Sequence, residues 1–307
     1  MSLSPFAHNP NPPRDYSEIK KIRLLLVVFL SLLITAAEIL GGLYSGSLSL
    51  ISDAFHNLGD GMAIFISYLA LKIAAKGNDY KRTFGYKRAT ILAALVNSAF
   101  LLLVSVFLLK EAFFRFLEPG SVEGELMMEV AFVGLVANIA GVALLRSSSH
   151  SDLNVRSSYL HLIGDSLSSV AVIIGGLVIS YFGIYLIDPL LTVVIALYVF
   201  KESFQLIKKV VNILMQGVPE GIDLQAVVKD IESLEGVEDV HHVHLWSLNE
   251  DHVNFEAHVN VRDMLVSDTK ALLRQIEELL QTRHGINHIT IQFEHKCCSG
   301  EGIIKQA

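Results

Sequence analysis

The sequence predicts an α-helical membrane protein, with six transmembrane helices in two inverted halves and then a small cytosolic α/β domain of order αββαβ. Three observations carry this. The 307 residues are 52% hydrophobic and only 18% charged, with mean hydropathy +0.49, whereas soluble globular chains carry about 25% charged residues. Six apolar segments are each long enough to cross a bilayer, which takes about 20 residues. The pattern His-x-x-Gly-Asp occurs twice, as "HNLGD" (56–60) and "HLIGD" (161–165), in the second and fifth of those segments.

The segments run over about 22–44, 50–74, 88–116, 126–146, 155–182 and 186–207, after a polar, Pro-rich N-terminal segment of residues 1–21. Turn residues punctuate the connections, as in "GGLYSGS" and "EPGSVEGE". Beyond residue 208 the apolar runs shorten and charge returns, so 208–307 read as a soluble domain. Lys72, Lys76, Lys81, Arg82, Lys87 and Arg88 crowd the connection between the second and third segments, while "GGLYSGS" has neither Lys nor Arg. The positive-inside rule then puts both termini and the soluble domain in the cytoplasm, with the cell inner (plasma) membrane as the expected location. The net charge of −7 and the absence of a basic arm argue against a nucleic-acid partner. No cleavable signal peptide is expected, and two adjacent cysteines make no disulfide framework.

In both copies of the repeated pattern His and Asp are four apart, on one helix face. The two segments run in opposite directions, and Asp60 and Asp165 each lie about ten residues from the start of their segment, near the bilayer midplane. A pseudo-two-fold axis in the membrane plane would bring them together. A lone intramembrane His is often a packing residue. Two carboxylates are harder to excuse, since insertion scales charge about 2.5–3.5 kcal/mol for Asp at a helix centre. A divalent cation offsets that cost. His56, Asp60, His161 and Asp165 make a neutral four-ligand N/O set that suits tetrahedral Zn²⁺ and fits Ca²⁺ or Mg²⁺ poorly. Asp53, one turn before His56, is read as a hydrogen-bond acceptor that holds the His56 ring without touching the metal, with a fifth ligand or a helix-start residue as alternatives. Glu38 and Asn138 either line a route or bond between helices.

In the soluble domain, residues 222–236 and 267–284 read as helices, and "VEDVHHVHLWSL", "DHVNFEAHVNV" and "INHITIQFE" as strands. Alternation turns Val243, Leu245, Phe255, Ala257, Val259, Ile289, Ile291 and Phe293 toward the helices. His242, His244, His258, His288 and Glu294 share the other face, with Trp246, Glu256 and Gln292. That face is read as a regulatory metal site or as a polar or dimer-packed surface. Cys297 and Cys298 are added soft ligands or reduced surface thiols.

The strings "SLSLISDAFHNLGD", "RTFGYKR", "LNVRSSYLHLIGDSLSSV", "HVHLWSL" and "HITIQFE", with the six-span layout, resemble the cation diffusion facilitator family over nearly the whole chain. The resemblance is strongest to its zinc-transporting branch of bacterial-type zinc/proton antiporters. It implies a homodimer in the lipid bilayer that exports Zn²⁺, with Co²⁺ or Cd²⁺ as further cargo, in exchange for protons. It also implies a ferredoxin-like fold for a metal-binding, dimerising domain 208–307, and assigns His56, Asp60, His161 and Asp165 to the transport site. Zn²⁺ is then substrate and regulatory ligand, and no other cofactor is expected. Many zinc members carry a His-rich loop before the fifth span; here "RSSSHSDLNVR" has only His150. Metal binding needs neutral imidazole and ionised carboxylate, so protons and metal compete for the ligands. Two other readings stand beside transport: an intramembrane metal hydrolase, disfavoured by the near-symmetric four-ligand set, and a metal sensor that signals through the soluble domain.

Overall fold

The computed structural model describes residues 14–146, 153–249, 252–297 and 302–303, and within these the side chains of all but 14–28, 64, 145, 146 and 153–161. His150, Cys298 and the side chain of His161 lie outside the described residues. Six long helices come first: α1 (Arg14–Ser45), α2 (Leu48–Ala74), α3 (Ala89–Leu117), α4 (Gly124–Arg146), α5 (Leu153–Phe182) and α6 (Ile187–Leu214). The chain divides into two compact units, Met1–Phe65 with Asn97–Phe204, and Ile66–Val96 with Gln205–Ala307.

The first unit is inside out relative to a water-soluble bundle. Phe29, Leu40, Leu103, Phe107, Phe132 and Leu197 are exposed, whereas Thr35, Glu38, Asp53, Asn57, Asn138 and Asp165 are buried. Hydrocarbon solvates the first set, and the second set must find partners inside. Apolar burial drives no helix together in lipid, so close backbone approach matters more. Accordingly α4 packs along α5 and α1. A Cβ on Gly124 would lie 2.6 Å from the Gly176 carbonyl oxygen, and one on Gly41 would lie 2.6 Å from a Val130 methyl.

Among the described residues four helices are long and apolar enough to cross a membrane, Ala89–Leu117, Gly124–Leu144, Leu162–Phe182 and Ile187–Leu214, and α1 adds the shorter apolar stretch Phe29–Ser45. The expected count of six is thus met for four. In α2 the polar residues Ser49, Ser52, Asp53, His56, Asn57 and Asp60 crowd into positions 49–60 and dilute its hydropathy. The segment that prompts the metal reading is for that reason a poor span by composition.

The start of α2 is fixed from elsewhere in the bundle. Gly46, at φ +71°, takes the left-handed turn that ends α1, and its carbonyl accepts a hydrogen bond from Arg115 of α3 at 3.1 Å. Ser47 caps α2 by accepting from Leu50 N–H at 3.2 Å. Asp188, fully buried in the first turn of α6, then closes the end. Its Oδ1 accepts from the Ser47 and Ser49 hydroxyls, each at 2.6 Å, and from Ser49 N–H at 3.1 Å, and its Oδ2 accepts from Leu48 N–H at 2.8 Å. A carboxylate at a helix N-terminus meets unsatisfied N–H groups and the positive end of the helix dipole.

In the second unit, α7 (Leu224–Glu232), β1 (Val237–Asn249), β2 (His252–Val261), α8 (Val266–His284) and β3 (His288–Glu294) follow in the expected αββαβ order. The sheet is small and mixed, with β2 central, antiparallel to β1 and parallel to β3. A parallel pair needs a crossover, and α8 supplies it. Val227 and Ile231 of α7 and Leu272, Ile276 and Leu280 of α8 form one core with Val243, Leu245, Phe255, Ala257 and Val259 of the sheet. Ile289, Ile291 and Phe293 pack against it, as the alternation predicts.

Replacing Asp188 by Ala strands several buried donors, which costs about 1–3 kcal/mol. The thermal midpoint of the purified protein in detergent should fall accordingly, while Leu197→Ala, on the exposed face of α6, should leave it nearly unchanged. Equal midpoints for wild type and Asp188→Ala would show that the clamp carries no stability.

Candidate metal centre

The helical period places Asp53, His56 and Asp60 on one stripe of α2, and His161 one turn before Asp165 on α5. His56 lies between two carboxylates from different helices. Its Nδ1 is 3.6 Å from Asp60 Oδ2, and its Nε2 is 4.0 Å from Asp165 Oδ1. Each separation alone is near the edge of about 3.4 Å of a tetrahedron with ligands about 2.1 Å from zinc. The two are made by different ring nitrogens, however, so as they stand the ring lies between the carboxylates and the three do not converge on one point. Whichever ring nitrogen takes a metal, the other faces a carboxylate that orients the ring. The Tyr198 ring meets the imidazole edge-on at 6.4 Å. A void of about 10 Å³ beside His56, bounded by Ser52, Leu101 and Val199, has room for no more than about one water.

The partner seen for Asp53 is Ser168 of α5, whose hydroxyl donates to Oδ1 at 2.6 Å. This bond ties α2 to α5 next to the His56 and Asp165 pair. Glu38 of α1 is buried and accepts from Asn57 of α2 at 2.9 Å. Asn138 of α4 is buried too, with an amide nitrogen that has no hydrogen-bond partner among the described residues.

The second cluster lies on the sheet and differs from the expected set. His241, His258 and Glu294 offer ligand atoms that all lie within 4.8 Å of one another. Glu294 is 2.9 Å from His258 Nδ1 and 3.3 Å from His241 Nε2. The other nitrogen of His241, Nδ1, is held by Asp239 at 2.7 Å, which aims Nε2 at the cluster. Asn260 braces the same Asp239 through its Oδ2 at 2.7 Å. Burial pushes the Glu294 carboxyl up, but the Gln292 amide, the His258 imidazole, Cys297 and the His241 imidazole outweigh it and hold the group below its ordinary value. An ionised carboxylate with two imidazoles beside it is a donor set that fits a divalent transition metal.

His241 was missed because strict alternation puts it on the core side of β1. The register shifts between His241 and His244, and His242 takes φ +51°. This bulge spends one extra residue, and upstream of it the faces exchange. His241 becomes 1% exposed and pairs across with His258. His242 is the extra residue, its ring 4.6 Å from that of His258 and 5.1 Å from that of His244. His288 does not join the group. It pairs with Asn254, four residues along β2 from His258, and its ring meets Phe84 at 5.9 Å. The adjacent histidines at 241 and 242 were the one sequence signal that either could take the inward position.

The first unit is thus an apolar-surfaced bundle with carboxylates and an imidazole gathered across two helices, as in membrane proteins that handle cations. The description "Cation efflux transmembrane domain" matches residues 24–215, and "Cation efflux protein, cytoplasmic domain" matches 219–296. The chain belongs to the cation efflux family. It is 36% identical over 286 residues to the "Cadmium, cobalt and zinc/H(+)-K(+) antiporter" of Bacillus subtilis, covering 91% of each chain. It is 38% identical over 262 residues to the "Metal cation efflux system protein CzcD" of Cupriavidus metallidurans, with 85% of this chain and 83% of that one covered. The "Zinc transporter ZitB" of Escherichia coli is 38% identical over 265 residues, 86% of this chain and 84% of its own. These relatives are transporters. The chain is a metal-cation transporter of this family and not an enzyme, so the hydrolase reading is set aside.

The revised cytosolic set makes a direct prediction. Trp246, the single tryptophan, lies on β1 two residues from His244 and reports on this sheet. Zn²⁺ should change its fluorescence in the full-length protein. His241→Ala should abolish that change and His288→Ala should preserve it. The reverse pattern would restore His288 to the site and remove His241.

Proposed function

We propose that this protein exports Zn²⁺, with Co²⁺ and Cd²⁺ as further cargo, from the cytoplasm in exchange for protons, through a site formed by His56, Asp60, His161 and Asp165. The observation that carries the reading is the His56 imidazole between the carboxylates of Asp60 and Asp165, on two different helices. No Lys or Arg occurs between residues 24 and 71 or between 157 and 200, so cargo is the natural counter-charge. His161 completes the set through its four-residue spacing from Asp165. Metal enters only when the imidazoles are neutral and the carboxylates ionised, and protonation expels it. An inward proton gradient therefore drives metal outward when the site alternates its exposure.

The wider architecture belongs to the same proposal. Six spans form inverted halves around the site, with 1–21 as a cytosolic segment and 22–207 as the membrane domain. Residues 208–307 form a ferredoxin-like domain through which two copies pair. The basic connection after α2 supports cytoplasmic termini, and the bacterial relatives support an inner-membrane location. The cluster of His241, His258 and Glu294, with His242 and His244 nearby, is read as the regulatory site where cytosolic Zn²⁺ binds.

Reconstitution tests the transport claim. Proteoliposomes holding the wild-type protein should take up Zn²⁺ under an imposed pH gradient. Asp60→Ala and His161→Ala should each abolish uptake while the purified protein keeps its thermal midpoint within a few degrees. Near-normal uptake by either variant would remove that residue from the site.

A further inference from the structure

Glu38 belongs to neither ligand set, yet it is among the most deeply buried side chains of the membrane unit, 1% exposed. Its Oε2 accepts from Asn57 Nδ2 at 2.9 Å, and its Oε1 has no hydrogen-bond partner among the described residues. Gly134 of α4 keeps space open at that oxygen. A Cβ there would lie 3.1 Å from Glu38 Oε1 and 3.7 Å from the Ser169 hydroxyl of α5. Among the described residues the charged groups near enough to act on Glu38 are both acidic, Asp53 on α2 and Asp165 on α5. The α4 residue beside that oxygen, Gly134, is neutral, and α1 carries no second charged residue between 29 and 45. Among the described residues no Lys or Arg is paired with Glu38.

An ionised carboxylate in an apolar bundle, with two other carboxylates nearby and no cation of its own, is strongly disfavoured. A bound proton neutralises it. A divalent metal arriving at Asp165 changes the balance, because its charge cancels the negative field that kept the proton in place. Asn57, the donor to Glu38, directly follows His56 in α2, so the same helical turn touches both groups.

We infer that Glu38 is a proton-binding site separate from the metal ligands, which releases its proton as the metal binds and regains one as the metal leaves. The inference rests on the reading of His56, Asp60, His161 and Asp165 as the metal site. In the step the Glu38 O–H bond breaks with its electron pair left on the carboxylate. The proton passes to water on the side to which the site is open. Asn57 donates to the carboxyl in both states. Glu38 is then a coupling residue and not a ligand.

Calorimetric titration of Zn²⁺ into the full-length protein, in buffers of different ionisation enthalpy, counts protons released per metal. A His241→Ala, His258→Ala background silences the cytosolic cluster. Glu38→Gln should release about one proton fewer per central zinc and keep the metal affinity within about threefold. In proteoliposomes its zinc-gradient-driven flux should persist while acceleration by a pH gradient is reduced, and Glu38→Asp should restore both the proton and the acceleration. Should the Gln variant fail to fold, Glu38→Met gives the same neutral test. An unchanged proton count would overturn the inference, and so would loss of central metal binding, which would make Glu38 a ligand. Asp165→Asn, run in parallel, judges the underlying site on its own: retained zinc affinity there would refute the four-ligand reading and not the role of Glu38.

Discussion

A carboxylate inside a bilayer must find positive charge or take a proton, and this chain places Glu38, Asp53, Asp60 and Asp165 within its transmembrane domain while keeping Lys and Arg out of residues 24–71 and 157–200. The remaining features of the first unit follow from that conflict. Polar side chains turn inward because lipid cannot solvate them, and apolar ones turn outward because lipid can. Glycines at helix contacts let backbones close around the polar interior, as at Gly124 and Gly176. The Asp188 clamp fixes where α2 begins, and with it the depth of Asp53, His56 and Asp60. Ser168 then ties α2 to α5 across the same polar seam.

The cytosolic cluster uses the same donor types in a different solvent. There, water and neighbouring dipoles share the cost, so Glu294 is stabilised as an anion by Gln292, His258 and His241 without a buried counter-ion. Asp239 and Asn260 set the orientation of His241 before any metal arrives. A pre-oriented set of this kind suits sensing, whereas the site proposed between α2 and α5 would have to give its metal up.

How much of this was legible depends on the period of each element. The shared face of each His-x-x-Gly-Asp string was readable because an α-helix keeps its period of 3.6 over many turns; His56 does lie beside Asp60 and Asp165, while the side chain of His161 lies outside the described residues. The core face of β2 was readable by the same logic, since no bulge interrupts Phe255, Ala257 and Val259. On β1 the logic failed at His242, where a single extra residue reverses the faces and exchanges His241 for its neighbour. Sharing a face did not bring His288 close either, because its place is set by the β2–β3 register, which nothing local announces. Asp188 went unnoticed for a related reason: the groups it holds lie about 140 residues earlier in the chain.

The central claim is that the cost of burying carboxylates in α2 and α5 is met by a metal held on oxygen and nitrogen alone. Zinc-edge X-ray absorption of the full-length protein with His241→Ala and His258→Ala isolates that metal from the cytosolic cluster. The account predicts four nitrogen or oxygen neighbours at about 2.0–2.2 Å and no sulfur. A sulfur shell, six-fold coordination, or no bound zinc in this variant would contradict it.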